Sequence, residues 1–144
     1  MIDDKRFTTI NTDAGVKPNS SAFAYWIRSE HVVIRGAQPF KRHINDSNKA
    51  ELAAIVSALL IVAKDEYLRS ADVIVVNCDN KNALSALRNN KLYGWAGFVL
   101  EHYEKCRKLI KAPIYFKHVK GHHNNGKPRN YINAWCDNEL KNYY

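Results

Sequence analysis

The chain is short of cysteine, of acidic residues and of long hydrophobic runs, and each shortage excludes something. Among its 144 residues no apolar stretch approaches the roughly 18 that a membrane-spanning helix needs. The first residues, with Asp3, Asp4, Lys5 and Arg6, lack the pattern of a secretory signal. A soluble, cytoplasmic protein is expected. Cys78, Cys106 and Cys136 are odd in number and widely spaced, which argues for reduced, buried thiols and against a disulfide framework. No internal repeat, low-complexity tract or linker breaks the sequence, so residues 1–144 read as a single domain with one core. The 14 acidic residues are outnumbered by 22 lysines and arginines, giving a net charge of +8 and a pI near 9.4. That excess favours a polyanionic partner.

The β-branched run from Lys5 to Thr12 predicts a strand that stops at Asp13, where small residues permit a sharp turn before a polar link, Lys17–Ser20. Ser21–Ser29 and His31–Ala37 predict two further antiparallel strands joined by a polar pair. From Asn48 the apolar residues Leu52, Ile55, Val56, Leu59, Leu60 and Ala63 recur at helical spacing, predicting an amphipathic helix with one buried face. Asn48 and Glu51 also have the spacing of a capping box, in which Glu51 would only bond the backbone at the helix start. Val73–Cys78 reads as a strand buried on both faces and, like the first, it ends in a carboxylate, Asp79. Asn82–Arg88 predicts a short helix. Trp95, Phe98, Val99, His102, Cys106 and Leu109 outline a longer one, with His102 packed in the core. Pro113–Val119 reads as a fifth strand, Gly121–Asn130 as a loop, and Ala134–Tyr144 as a short helix carrying Asp137.

This order predicts an α/β fold, a mixed sheet with helices packed on it. Asp13 and Asp79 then close two strands, while Glu51 and Asp137 lie on helices. If they converge, four carboxylates share a cleft, and like charges so close demand hard divalent cations with oxygen ligands, Mg²⁺ first and Mn²⁺ second. Two such ions about 4 Å apart can activate water on one side of a phosphodiester and stabilise the leaving oxygen on the other. A zinc site from His118, His122 and Cys136 is an alternative, but the paired CxxC or CxxH ligands usual for zinc are missing.

Five pieces occur in order along the chain: Thr12-Asp13 with Gly15, Ser47-Asn48-Lys49-Ala50-Glu51-Leu52, Asn77-Cys78-Asp79-Asn80, His118-Val119-Lys120-Gly121-His122, and Trp135-Cys136-Asp137-Asn138-Glu139-Leu140. Through them the sequence resembles the type 1 ribonuclease H family of the ribonuclease-H-like fold. The resemblance implies a five-stranded mixed sheet, the first three strands antiparallel, with Asp13 on the central strand and helices on both faces. It implies metal ligation by Asp13, Glu51, Asp79 and Asp137, and hydrolysis of the RNA strand of an RNA–DNA hybrid to 5′-phosphate and 3′-hydroxyl ends. It places His122, and not the adjacent His123, as the histidine that assists proton transfer, a task suited to a pKa near neutral. Asn19, Ser47 and Asn48 fall where the family contacts the hybrid backbone and its 2′-hydroxyls.

The sequence departs from the family at Asp46, where many relatives have a threonine that helps hold a DNA phosphate, and by lacking a long basic insertion between Asp79 and His122. Some of the substrate grip is therefore assigned to Lys105, Arg107, Lys108 and Lys111 or to Lys117 and Lys120, and a monomer is expected since nothing demands a partner protein. Two other readings compete. One is a nucleic-acid-binding module that has lost cleavage, and the other is a nuclease of the same fold acting on DNA junctions or single strands.

Overall fold

The computed structural model describes residues 4–120 and 128–143. Its five strands, β1 (Phe7–Lys17), β2 (Ser20–Ser29), β3 (Val32–Pro39), β4 (Val73–Cys78) and β5 (Ile114–His118), form one sheet in the order β3-β2-β1-β4-β5. The β3, β2 and β1 strands are antiparallel, and β4 and β5 run parallel to β1. The central strand is longer than its sequence predicts. It continues through Asp13 and Gly15 to Lys17, because every residue from Thr8 to Lys17 has a partner on β2, and the hairpin turn shrinks to Pro18-Asn19. Glu30 and His31 make the second hairpin turn, Glu30 taking the left-handed conformation (φ 50°) that two-residue turns favour.

The α1 helix (Ser47–Lys64) packs on one face of the sheet, where Ile10, Ile27, Ile74 and Val76 meet Leu52, Ile55, Leu59 and Val62. Two expectations for this helix fail. Its N-cap is Asp46, whose carboxylate accepts from the Lys49 N–H at 2.9 Å, so the capping box on Asn48 and Glu51 does not form and Glu51 is free of that duty. Nor does α1 bury a single face. Ala50 to Val56 are buried without a break, since the sheet lies on one side and α3 (Lys81–Arg88), α4 (Leu100–Leu109) and the 3₁₀ turn Gly94–Val99 lie on others. A helix apolar all round is a helix enclosed all round.

Before α4 the chain winds as 3₁₀ from Gly94, whose φ of +60° suits glycine. The buried stripe there is Ala96, Val99, Tyr103 and Cys106, while Trp95, Phe98, His102 and Leu109 are exposed; the predicted core position for His102 is therefore wrong by one step of the helix. A four-residue helix, α2 (Glu66–Arg69), links α1 to β4.

The opposite face carries α5 (Pro128–Leu140), which starts six residues earlier than predicted and absorbs the end of the expected loop; Pro128 supplies a residue suited to a helix's first turn. Here Ala22 and Ala24 are small enough to let Cys136 and Leu140 seat on the sheet. Trp135 meets Trp26 edge-on at 5.3 Å, and the Arg35 guanidinium lies 4.9 and 5.1 Å from their two rings. The Tyr143 hydroxyl donates to the Ala37 carbonyl at 2.8 Å. Trp135→Ala should therefore lower stability by about 2–3 kcal/mol, somewhat less than the loss for a fully buried tryptophan. Urea denaturation will measure it, and a change below about 0.5 kcal/mol would show that the aromatic cluster does not hold α5.

Candidate active site

The register of the central strands sets the site. Asn11 of β1 is level with Asn77 of β4, and the Asn77 side-chain amide donates to Asn11 Oδ1 at 3.2 Å. Two residues further on in each segment come Asp13, still in β1, and Asp79, just past the end of β4. Glu51 approaches from the second turn of α1. Asp137 comes from α5 on the other side. All four carboxylates line one cavity of about 300 Å³, together with Ala14, Gly15, Val16, Lys17 and Leu140.

Crowding shows in the proton affinities. Burial, then the charges of Asp79 and Asp137, push Asp13 up to about 7, against the opposing N–H bond from Ala14 at 2.9 Å. Burial and the charges of Asp13 and Asp79 push Glu51 well above the usual carboxylate range. Glu51 is 8% exposed, and its Oε1 has no hydrogen-bond partner. Such an atom is costly to bury unless something positive meets it. Lys141 Nζ lies 3.7 Å from Asp137, one helical turn further along.

Neighbouring groups hold this arrangement in place. His118 Nε2 donates to the Asp79 carbonyl at 3.1 Å. Asn80 caps α3 through the Ala83 N–H, and its amide donates to Asn48 Oδ1 at 3.0 Å, as Asn82 does at 3.3 Å. Asn48 is thus fixed beside the cleft, with Ser47 exposed next to it. Reading the sequence missed Asn11, Asn80, Asn82, the bracing role of His118 and the presence of Lys17. One signal was available, the echo of Asn11-Thr12-Asp13 in Asn77-Cys78-Asp79.

Other predicted site residues lie apart. Asn19 is exposed at the tip of the first hairpin. Lys105 and Lys108 do not line the cavity; α4 runs toward the C-terminal end of α1, where Lys64 and Lys105 both act on Cys106. Lys120 is exposed just past β5, and His122 and His123 lie outside the described residues. Among the described residues, His118 and Cys136 join no metal-ligand group, Cys136 packing from α5 against Ala22 and Ala24 of the sheet.

The RNase H family model matches residues 5–143. This chain belongs to the RNase H family. Its structure is similar to the N-terminal RNase H domain of a Mycobacterium tuberculosis protein, with a TM-score of 0.66, 16% identity and 95% of each chain covered. It is also similar to RNase H1 from the halophilic archaeon Halobacterium salinarum, with a TM-score of 0.63, 15% identity, and 94% of this chain and 98% of that one covered. No curated protein matches the sequence. At these identities the structures establish the shared fold, which is the five-stranded mixed sheet with helices on both faces.

RNase H proteins generally use divalent metal ions, and the donor set here fits one: oxygen ligands, raised carboxylate pKa values, and the unpartnered Glu51 Oε1. The sign of the metal-free pH dependence follows. Asp13 binds its proton up to about pH 7 in the folded chain against 3.8 ordinarily, so the folded state holds the extra proton between those values and stability falls as pH rises through that window. In chelator, melting temperature should decline from about pH 4 to 7, and Asp13→Asn should flatten the decline and raise the neutral-pH midpoint by about 2–6 °C. A midpoint unchanged or lowered by the variant at neutral pH would refute the electrostatic reading.

Proposed function

We propose that the chain is a ribonuclease H: an endonuclease that hydrolyses the RNA strand of RNA–DNA hybrids by a two-metal mechanism, leaving 5′-phosphate and 3′-hydroxyl ends. The observation that carries this reading is the convergence of Asp13, Glu51, Asp79 and Asp137, from four separate elements, on one cavity. The RNase H family acts on RNA–DNA hybrids, which also suits a chain of net charge +8.

Asp13, Glu51, Asp79 and Asp137 would hold Mg²⁺, with Mn²⁺ as a substitute. Bound there, the ions would supply charge neutralisation and an activated water for in-line attack at phosphorus. The rest falls to side chains. The Asn80 and Asn82 amides hold Asn48, so that Asn48, with Ser47 and Asn19, offers short polar groups to successive 2′-hydroxyls. His122 would carry a proton to or from the reacting oxygens. Lys105, Lys108 and Lys120 would contact phosphates beyond the cleft. A binding module without catalysis explains less, since it has no need of a buried, unpartnered carboxylate oxygen that costs stability.

A labelled hybrid incubated with protein and Mg²⁺, beside matched duplex DNA and duplex RNA, tests the assignment. Only the RNA strand of the hybrid should be cut, and Asp79→Asn should reduce the rate by at least about a thousandfold, the scale of a lost metal ligand or electrostatic catalyst. Equal cutting of all three substrates, or substantial cutting by the variant, rejects it.

The histidine assignment is tested separately by single-turnover rates. His122→Ala should slow cleavage by roughly ten- to a thousandfold and His123→Ala by much less. The reverse ranking would transfer the role to His123.

A further inference from the structure

Cys78 ends β4 directly before Asp79 and is fully buried beneath the carboxylates. Its sulfur, one carboxylate oxygen of Glu51 and one of Asp79 all lie within 4.8 Å of one another, the only such trio of histidine, cysteine or acidic ligands among the described residues. Asp13 and Asp137 line the same cavity but stand outside this trio. We propose that the trio is a second, thiophilic metal site, in which Cys78 Sγ joins Glu51 and Asp79 to take Zn²⁺ or Cd²⁺, and that an ion held there blocks the all-oxygen site.

Three observations carry the proposal. The donor set is one sulfur and two oxygens, which suits zinc, a borderline ion that takes both, and is unsuited to Mg²⁺, an octahedral ion that takes oxygen ligands only. Glu51 Oε1 is buried and has no hydrogen-bond partner, so the trio carries an unsatisfied carboxylate oxygen that a cation would neutralise. The third is that Cys78, which shares the main core with Cys106, is alone among the three thiols in belonging to a ligand group among the described residues; Cys106 and Cys136 belong to none. Binding replaces the Cys78 S–H bond by a sulfur–metal bond, with the proton passing to buffer. Because thiolate selects soft and borderline ions over hard ones, excess Mg²⁺ should compete poorly at the sulfur.

The inhibition part rests on the function proposed above, whereas the binding part does not. Cd²⁺ titrated into the full chain should produce the ultraviolet charge-transfer absorption of a cadmium–thiolate bond, saturating at one equivalent. Cys78→Ser should abolish the band, while Cys106→Ser and Cys136→Ser should keep it. Zn²⁺ should erase the band and a large excess of Mg²⁺ should not. No band in the parent chain, or a band that survives Cys78→Ser, overturns the proposal. Should the buried serine prevent folding, Glu51→Gln serves instead: it keeps the thiol and should weaken Cd²⁺ binding at least tenfold, and unchanged affinity would refute the site. On a labelled hybrid with saturating Mg²⁺, Cd²⁺ should inhibit the parent at concentrations that fill the band. A band without any hybrid cleavage upholds the site and rejects the nuclease reading; cleavage with no band does the opposite.

Discussion

Four carboxylates do not stay together in a partly buried cleft unless the surrounding structure forces them to, and that constraint explains more of this fold than any other. The raised proton affinities of Asp13 and Glu51 express the force the fold has to oppose. Each acid is therefore mounted on an element anchored elsewhere. Asp13 is in the strand that pairs on both sides, Asp79 follows a strand tied to β1 through Asn77 and Asn11, and Glu51 sits on a helix enclosed by the sheet and three neighbouring segments. The apolar core supplies the stiffness and the acids oppose it, so that a cation arriving in the cleft relieves repulsion already built in.

Much of this could be read from the residues. The strands β4 and β5 fall within one residue of the predicted spans: β4 is a short buried run bounded by polar residues, and β5 alternates between half-buried and exposed residues as its sequence does. Asp13 and Asp79, each read as closing a strand, do line one cavity, although β1 runs on past Asp13. What failed were boundaries and partners that depend on contacts distant in sequence. Nothing local at Asp13 says that β2 pairs with it and carries the strand on to Lys17. Asn48 and Glu51 have the spacing of a capping box, yet Asp46 stood two residues earlier with an equally suitable side chain and took the role. The start of α5 was hidden because Pro128 and the asparagines around it carry loop statistics, while the reason for the helix, Trp26 and the alanines of β2, lies a hundred residues away.

The substitution of Asp46 for the threonine common in relatives gains a structural account here. Its carboxylate caps α1 two residues before Asn48 and five before Glu51, so it fixes the start of the helix that presents both. Polar residues of this kind set the orientation of the site even where they touch no substrate.

The way α5 is attached carries one more consequence. Its contact with the sheet is a small satellite cluster around Ala22, Ala24, Cys136 and Leu140, separate from the main core that holds α1, β1 and β4. Local opening energies follow the apolar contacts broken, and those of α5 differ from those of the main core. Asp137 is mounted on this satellite cluster, whereas Glu51 and the strands leading to Asp13 and Asp79 belong to the main core. Three carboxylates thus share one foundation and the fourth rests on another.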